Sequence, residues 1–151
     1  MRAADSVFIP APSERVLDAL LAVERYPLWW PAALHVRVVS PPPHGLGSIV
    51  EIRALGSRFR CRIAAVEPPS RLTVEYVAGL HRGHGSWTLE PQQGGTRATY
   101  TIDLVPHGLR AKVLSHVMDF ATLHSRQMQG VFGGLARHLS KGDARLERRG
   151  V

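Results

Sequence analysis

The stretch His81-Arg82-Gly83-His84-Gly85-Ser86-Trp87-Thr88-Leu89-Glu90, followed after a turn by Thr96-Arg97-Ala98-Thr99-Tyr100-Thr101-Ile102-Asp103-Leu104-Val105, carries a period of two. Beyond Pro106 and Gly108 the period changes. Two strand-like runs separated only by the turn from Pro91 to Gly95 read as an antiparallel hairpin, since a short connection returns the chain alongside itself. From there the row Leu109, Val113, Val117, Phe120, His124, Met128, Val131, Leu135 and Leu139 has the spacing of one helix face. The expectation is a continuous helix over 109–139, roughly 45 Å long. Its apolar row should offset Gly130, Gly133 and Gly134, each costing roughly 1 kcal/mol against alanine in a helix interior.

Upstream, strand-like runs at 47–55, 58–66 and 71–77 end at Gly56-Ser57, Pro68-Pro69-Ser70 and Ala78-Gly79. Before them, Leu34, Val36 and Val38 alternate with His35 and Arg37 until Pro41-Pro42-Pro43-His44-Gly45 ends the run. Residues 6–9 form a first short strand. Ser13 stands where a helix N-cap belongs, with Glu14 in the first turn and Val16, Leu17, Leu20, Leu21 and Val23 at helical spacing. Glu24 to Pro31 is a second short helix or tight turn between prolines. The order is one strand, two short helices, six strands and one long helix. This predicts an α+β domain over 1–140: a seven-stranded curved antiparallel sheet whose concave face is covered by the long helix. A charged tail, expected to fray, occupies 141–151. A curved sheet gripping a helix rarely fills its interior, so a cavity is expected.

Composition narrows the class. A chain of 151 residues is one domain, large enough to bury a core without a metal or disulfide. One cysteine, Cys61, excludes a disulfide framework and multi-cysteine metal sites. No apolar run reaches membrane-spanning length and no secretory h-region opens the chain, so a cytoplasmic protein with no membrane span is expected. The net charge of +7 comes with lysine only at Lys112 and Lys141 and with no asparagine, a bias that reads as base composition. The arginines are scattered apart from Arg58, Arg60 and Arg62 on one strand face and Arg145, Arg148 and Arg149 in the tail. They read as solvated faces, and no nucleic-acid partner is expected.

Three stretches carry a family resemblance. Phe8-Ile9-Pro10-Ala11-Pro12-Ser13-Glu14-Arg15-Val16-Leu17-Asp18-Ala19-Leu20 is similar to a first strand and helix, and Tyr26-Pro27-Leu28-Trp29-Trp30-Pro31 to an aromatic second helix. Gly85 to Pro91 with Gly94 to Tyr100 is similar to a penultimate hairpin. In order and spacing they resemble the START / Bet v 1-like superfamily, in particular its polyketide cyclase/dehydrase branch. The resemblance implies the helix-grip fold. It does not select a chemistry, because one fold hosts carriers, receptors and cyclases.

Signatures of nucleotide and hydrolase chemistry are missing. Gly45-Leu46-Gly47 lacks the third glycine of a dinucleotide loop and opens no helix, and no Gly-x-Ser-x-Gly elbow exists. His81 and His84 fall on opposite strand faces. His116 and His124 are about 12 Å apart along a helix, too far to share a metal, and neither metal nor cofactor is expected. Cys61 shares a face with Phe59 and Ile63 and reads as a small buried hydrophobe unless a cation lowers its pKa. Tyr76, Trp87 and Tyr100 lie on faces that form both core and cavity wall, and their phenols can supply polar handles. Gly83 and Gly85, on the face of Trp87, leave room for a sheet bend or for ligand. One of Trp29 and Trp30 is expected to plug the cavity and the other to be partly exposed. His124 lies between Phe120 and Met128 where an aliphatic would pack more simply. It reads either as a core histidine bonded to the backbone or as a polar group aimed into the cavity. Glu51 and Arg53 belong on the outer face.

The expected ligand-binding set is therefore Trp30, Phe59, Cys61, Tyr76, Trp87, Tyr100, His124 and Met128, holding a small apolar molecule such as a lipid, polyketide, quinone or aromatic metabolite. His124, Tyr76, Tyr100 and His81 are the candidate acid/base groups if the protein is instead a cyclase/aromatase or dehydratase. A third reading is a protein-partner module using the basic face around Arg58, Arg60 and Arg62. Monomer and homodimer both stay open.

Overall fold

A computed structural model describes residues 1–40 and 45–149, without the side chains of Ser40 and 142–149. The expected breaker Pro41-Pro42-Pro43-His44 and the tail arginine side chains lie outside what is described. Seven strands form one sheet: β1 (Arg2–Ile9), β2 (His35–Ser40), β3 (Ile49–Ala54), β4 (Ser57–Glu67), β5 (Arg71–Ala78), β6 (His81–Gln92) and β7 (Gly95–Pro106). Their order is β1-β7-β6-β5-β4-β3-β2, with every neighbour antiparallel. The chain folds as the predicted meander, with β1 returning to pair with the last strand. Helix α1 (Ser13–Leu21) and a 3₁₀ turn (Val23–Leu28) follow β1, and α2 (Leu109–Leu114) and α3 (Phe120–Arg149) follow β7.

Strand alternation sets which side chains face α3. Trp87 and Tyr100 pair across β6 and β7, with ring centroids 5.0 Å apart. Trp87 meets Phe132 of α3 edge-on at 5.7 Å, and Tyr100 stacks on His124 at 5.8 Å. Arg58, Arg60 and Arg62 point out of the opposite face, although β4 shifts register between Arg60 and Cys61.

The single helix over 109–139 is not what forms. The chain breaks at 115–119 between α2 and α3. Asp119 starts the second helix: its carboxylate accepts from the Thr122 amide at 3.1 Å and from the Thr122 hydroxyl at 2.6 Å, an N-cap arrangement. Leu109, Val113 and Val117, read as the first part of the buried stripe, are exposed. The grip survives the break, because α3 alone runs from Phe120 beyond Leu139. The charged stretch expected to fray continues α3 as far as Arg149, consistent with its good helix formers.

Two glycines explain why α3 lies so close to the 3₁₀ segment. A Cβ on Gly134 would fall 1.8 Å from the Trp29 carbonyl oxygen, and one on Gly130 would fall 2.8 Å from the Pro31 ring. The helix therefore approaches backbone to backbone there, and Trp29 is buried with its ring stacked on His138.

Ser13 does not cap α1. Pro12 holds that position, and the Ser13 hydroxyl lies 3.0 Å from Thr96 Oγ1, which donates at 2.8 Å to the Ala11 carbonyl. This buried chain ties the helix entry to β7. On the outer face Glu51 is fully covered by Arg37, Arg53 and Arg60, which donate to its carboxylate at 3.0–3.1 Å. Burial alone would raise its pKa, but the guanidinium hydrogen bonds of Arg60, Arg37 and Arg53 outweigh that and hold it at about 2.

Candidate functional site

Among the described residues, two adjacent chambers lie between the sheet and α3. The inner one is walled by β3, β4, β5, β6, β7, the 3₁₀ turn and α3, and has room of about 80 Å³ for water-sized solvent. The outer one, about 310 Å³, opens among the β3–β4 turn, the β5–β6 turn, α2 and the start of α3. Phe59, Tyr76, His124 and Gln127 line both and form the waist between them. The break in the expected helix thus has a consequence for the site: α2 folds across the mouth, where Arg110, Leu114 and Met118 face the outer chamber.

At the waist and on the inner wall beside it, Tyr76, Tyr100, His124 and Gln127 place polar groups in a largely apolar wall. The hydroxyls of Tyr76 and Tyr100 lie 2.8 Å apart, so one donates to the other and the second keeps its proton free. Burial pushes both phenols far above their ordinary range, reinforced for Tyr76 by Tyr100 and for Tyr100 by Cys61. Both are neutral at physiological pH. The His124 ring lies parallel to that of Tyr100, and its Nδ1 is buried without a hydrogen-bond partner. Burial lowers its pKa, partly opposed by Asp5, so the imidazole is neutral and presents a donor and an acceptor, not a charge. Gln127 adds an amide one helical turn along.

All eight residues expected to contact ligand, Trp30, Phe59, Cys61, Tyr76, Trp87, Tyr100, His124 and Met128, are found around the inner chamber. His81 is not among them. It lines the outer chamber, edge-on to Phe120 at 4.8 Å, while His84 on the other strand face is exposed. Trp30, the partly exposed one of the two, lines the inner chamber, whereas Trp29 is buried at the α3 crossing and lines neither chamber. The glycine positions hold no ligand space. The room at Gly85 is filled by the Tyr100 phenol, which a Cβ would meet at 2.2 Å, and Gly83 is a backbone bend with φ 141° tight against Asp103. Cys61 is buried, and burial pushes its thiol far up with no cation lowering it, so it is an inert wall residue. His116 lies in the connection between α2 and α3 and is exposed. Among the described residues no group of three or more His, Cys, Asp or Glu side chains converges as metal ligands would.

Sequence reasoning missed Tyr26, Gln127 and the whole outer chamber. Tyr26 donates to the Leu20 carbonyl and stacks on Trp30 at 4.9 Å. It sits in a proline-bounded turn where no periodicity points inward. Gln127 did carry a signal, lying three residues after His124 and so on the same helix face.

The model of one protein family, described as polyketide cyclase / dehydrase and lipid transport, matches residues 1–140. Among solved structures the chain is similar to TTHA0849 from Thermus thermophilus, with TM-score 0.76 and 19% identity, covering 94% of this chain and 99% of that one. It is similar to Ara h 8.0201 with TM-score 0.68 and 17% identity, covering 93% and 98% of the two chains. It is also similar to DynU16, from the dynemicin biosynthetic locus, with TM-score 0.65 and 21% identity over 93% of this chain and 48% of that one. These likenesses establish the fold. No curated protein matches the sequence.

Proposed function

We propose that this chain, which belongs to the polyketide cyclase / dehydrase and lipid transport family, binds a small, mostly apolar molecule carrying a carbonyl or hydroxyl group inside its two chambers. The observation that carries the reading is the polar waist in an apolar wall: an unpartnered buried His124 Nδ1 beside a tyrosine pair with one spare proton. A buried polar atom with no partner costs free energy, and a ligand oxygen or N–H placed there would recover part of it. The inner chamber alone is too small for a typical metabolite, so the ligand spans the waist with apolar portions on both sides. Native mass spectrometry of freshly purified protein tests this. A co-purifying apolar molecule supports it, as does uptake of laurate measured by calorimetry. An empty protein that takes up neither laurate nor a flat aromatic ketone overturns it.

A second reading is catalysis on a poly-carbonyl chain, favoured by the same His124 standing neutral beside Tyr100 and Tyr76. A cyclase or dehydratase needs a pocket that folds the chain and an acid/base group to move protons and expel water. Conversion of a bound poly-β-carbonyl thioester mimic into a cyclised, dehydrated product, lost in His124→Leu, would select it. The basic-face reading has less to stand on. Arg37, Arg53 and Arg60 are engaged with Glu51, and Arg62 pairs with Glu75.

A further inference from the structure

The mouth of the outer chamber has an outer surface as well as an inner one, and the two differ in character. On α2 and the connection after it, Arg110, Leu114 and Met118 turn toward the chamber. Leu109, Val113 and Val117, spaced as one row, face solvent and are 79%, 57% and 79% exposed. Across the mouth Leu55, at the tip of the β3–β4 turn, lines the rim of the chamber and is still 77% exposed, with φ 52°. That left-handed conformation suits glycine or asparagine, and a bulky, exposed leucine held there is a costly choice for a solvated turn.

The charge around this rim is mainly positive. Residues 53–62, 78–84 and 104–118 contain no aspartate or glutamate; besides Arg53, Arg60 and Arg62, which pair with Glu51 and Glu75, they carry Arg58, Arg82, Arg110 and Lys112. Of the flanking acids, Glu51 is bound by three arginines and Asp103 pairs with Arg2, while Asp119 caps α3 and remains the one anion beside Met118. An apolar row flanked by cations at the entrance to an apolar chamber fits a surface that is negative outside and hydrocarbon beneath. A second copy of the chain fits poorly, because a twofold interface would set this basic rim against itself.

We infer that the α2 segment and the β3–β4 turn dock the mouth onto an anionic lipid bilayer, so that ligand passes between membrane and chamber without crossing water. This rests on the chamber being the ligand site, and the test separates the two.

The experiment is co-sedimentation of the protein with vesicles of phosphatidylcholine alone and of phosphatidylcholine mixed with phosphatidylglycerol, at low and high salt. Calorimetry with laurate, in the absence of vesicles, runs in parallel. The protein should bind the anionic vesicles and lose them at high salt. Lys112→Glu removes one cation and adds an anion, and should weaken binding at least about fivefold. Val113→Asp should abolish binding, and Val117→Asp, outside both helices, repeats the test without a helix to disrupt. None of the three residues lines the chamber, so laurate uptake should be unchanged in all of them. Wild-type protein that ignores anionic vesicles overturns the inference, whether it proves to self-associate through Val113 or to hold an acidic protein there. Vesicle binding unaffected by both aspartates overturns it too. Vesicle binding without laurate uptake leaves the docking standing and removes the chamber reading.

Discussion

Replacing His124 by leucine separates two roles that one imidazole can play. Because Nδ1 has no protein partner, leucine orphans nothing there and removes a desolvation cost. The variant should match or exceed the parent in thermal midpoint. It should bind a carbonyl-bearing apolar ligand roughly two- to twelvefold more weakly, for a hydrogen bond worth about 0.5–1.5 kcal/mol. Lost stability with unchanged affinity would return the residue to the core. The imidazole also has a pH signature. Burial lowers the folded pKa of His124, and of His81 and His138, below 6.5. A depressed histidine contributes stability above its unfolded pKa, and that contribution is lost as pH falls through the folded value. Urea midpoints should therefore decline on acidification below 6.5, less steeply in His124→Leu; an identical slope would mean that the ring is solvated in the folded protein. His124 was visible in the sequence because polarity on an apolar stripe is a local anomaly. Its lack of a backbone partner was not, since that depends on what faces it from β7.

At the scale of elements, α3 offers a matched pair of substitutions. Alanine for glycine in a helix interior ordinarily stabilises by roughly 1 kcal/mol. At Gly133 the added Cβ meets only the far end of the Arg137 side chain, at 3.3 Å, so Gly133→Ala should keep much of that gain. At Gly134 it meets the Trp29 carbonyl at 1.8 Å, so Gly134→Ala should instead destabilise by about 1–3 kcal/mol or more. Chemical denaturation of the two proteins reads the opposite signs, and equal effects would mean that the helix and the 3₁₀ segment are not in contact. Periodicity made the strands and the gripping part of the helix legible, because each buries one face. It misled at 109–119, where an apolar row with the right spacing turns out to face water. The informative signal was Asp119 with Thr122 three residues on, a cap whose meaning was hidden beneath the continuing stripe. The outer chamber went unseen for the same reason, since its mouth exists only where that helix breaks.

For the molecule as a whole, a ligand that binds only the folded state stabilises it by mass action. At a free concentration of a hundred times Kd the gain is about 2.7 kcal/mol, a rise of roughly 5–10 °C in Tm for a chain of this size. A scan of candidate lipids and aromatic ketones by thermal shift should pick out binders on that scale, and no shift from a compound shown to bind would place it outside the folded interior. The tryptophans give a further handle. Trp30 and Trp87 line the inner chamber, whereas Trp29 is sealed at the α3 crossing. Two of the three indoles therefore report on the contents of the chamber, while the third supplies a constant background. Filling the chamber with an apolar molecule should shift their fluorescence to the blue and shield it from acrylamide. Ligand capture, and its release at a surface, can then be followed in the unlabelled protein.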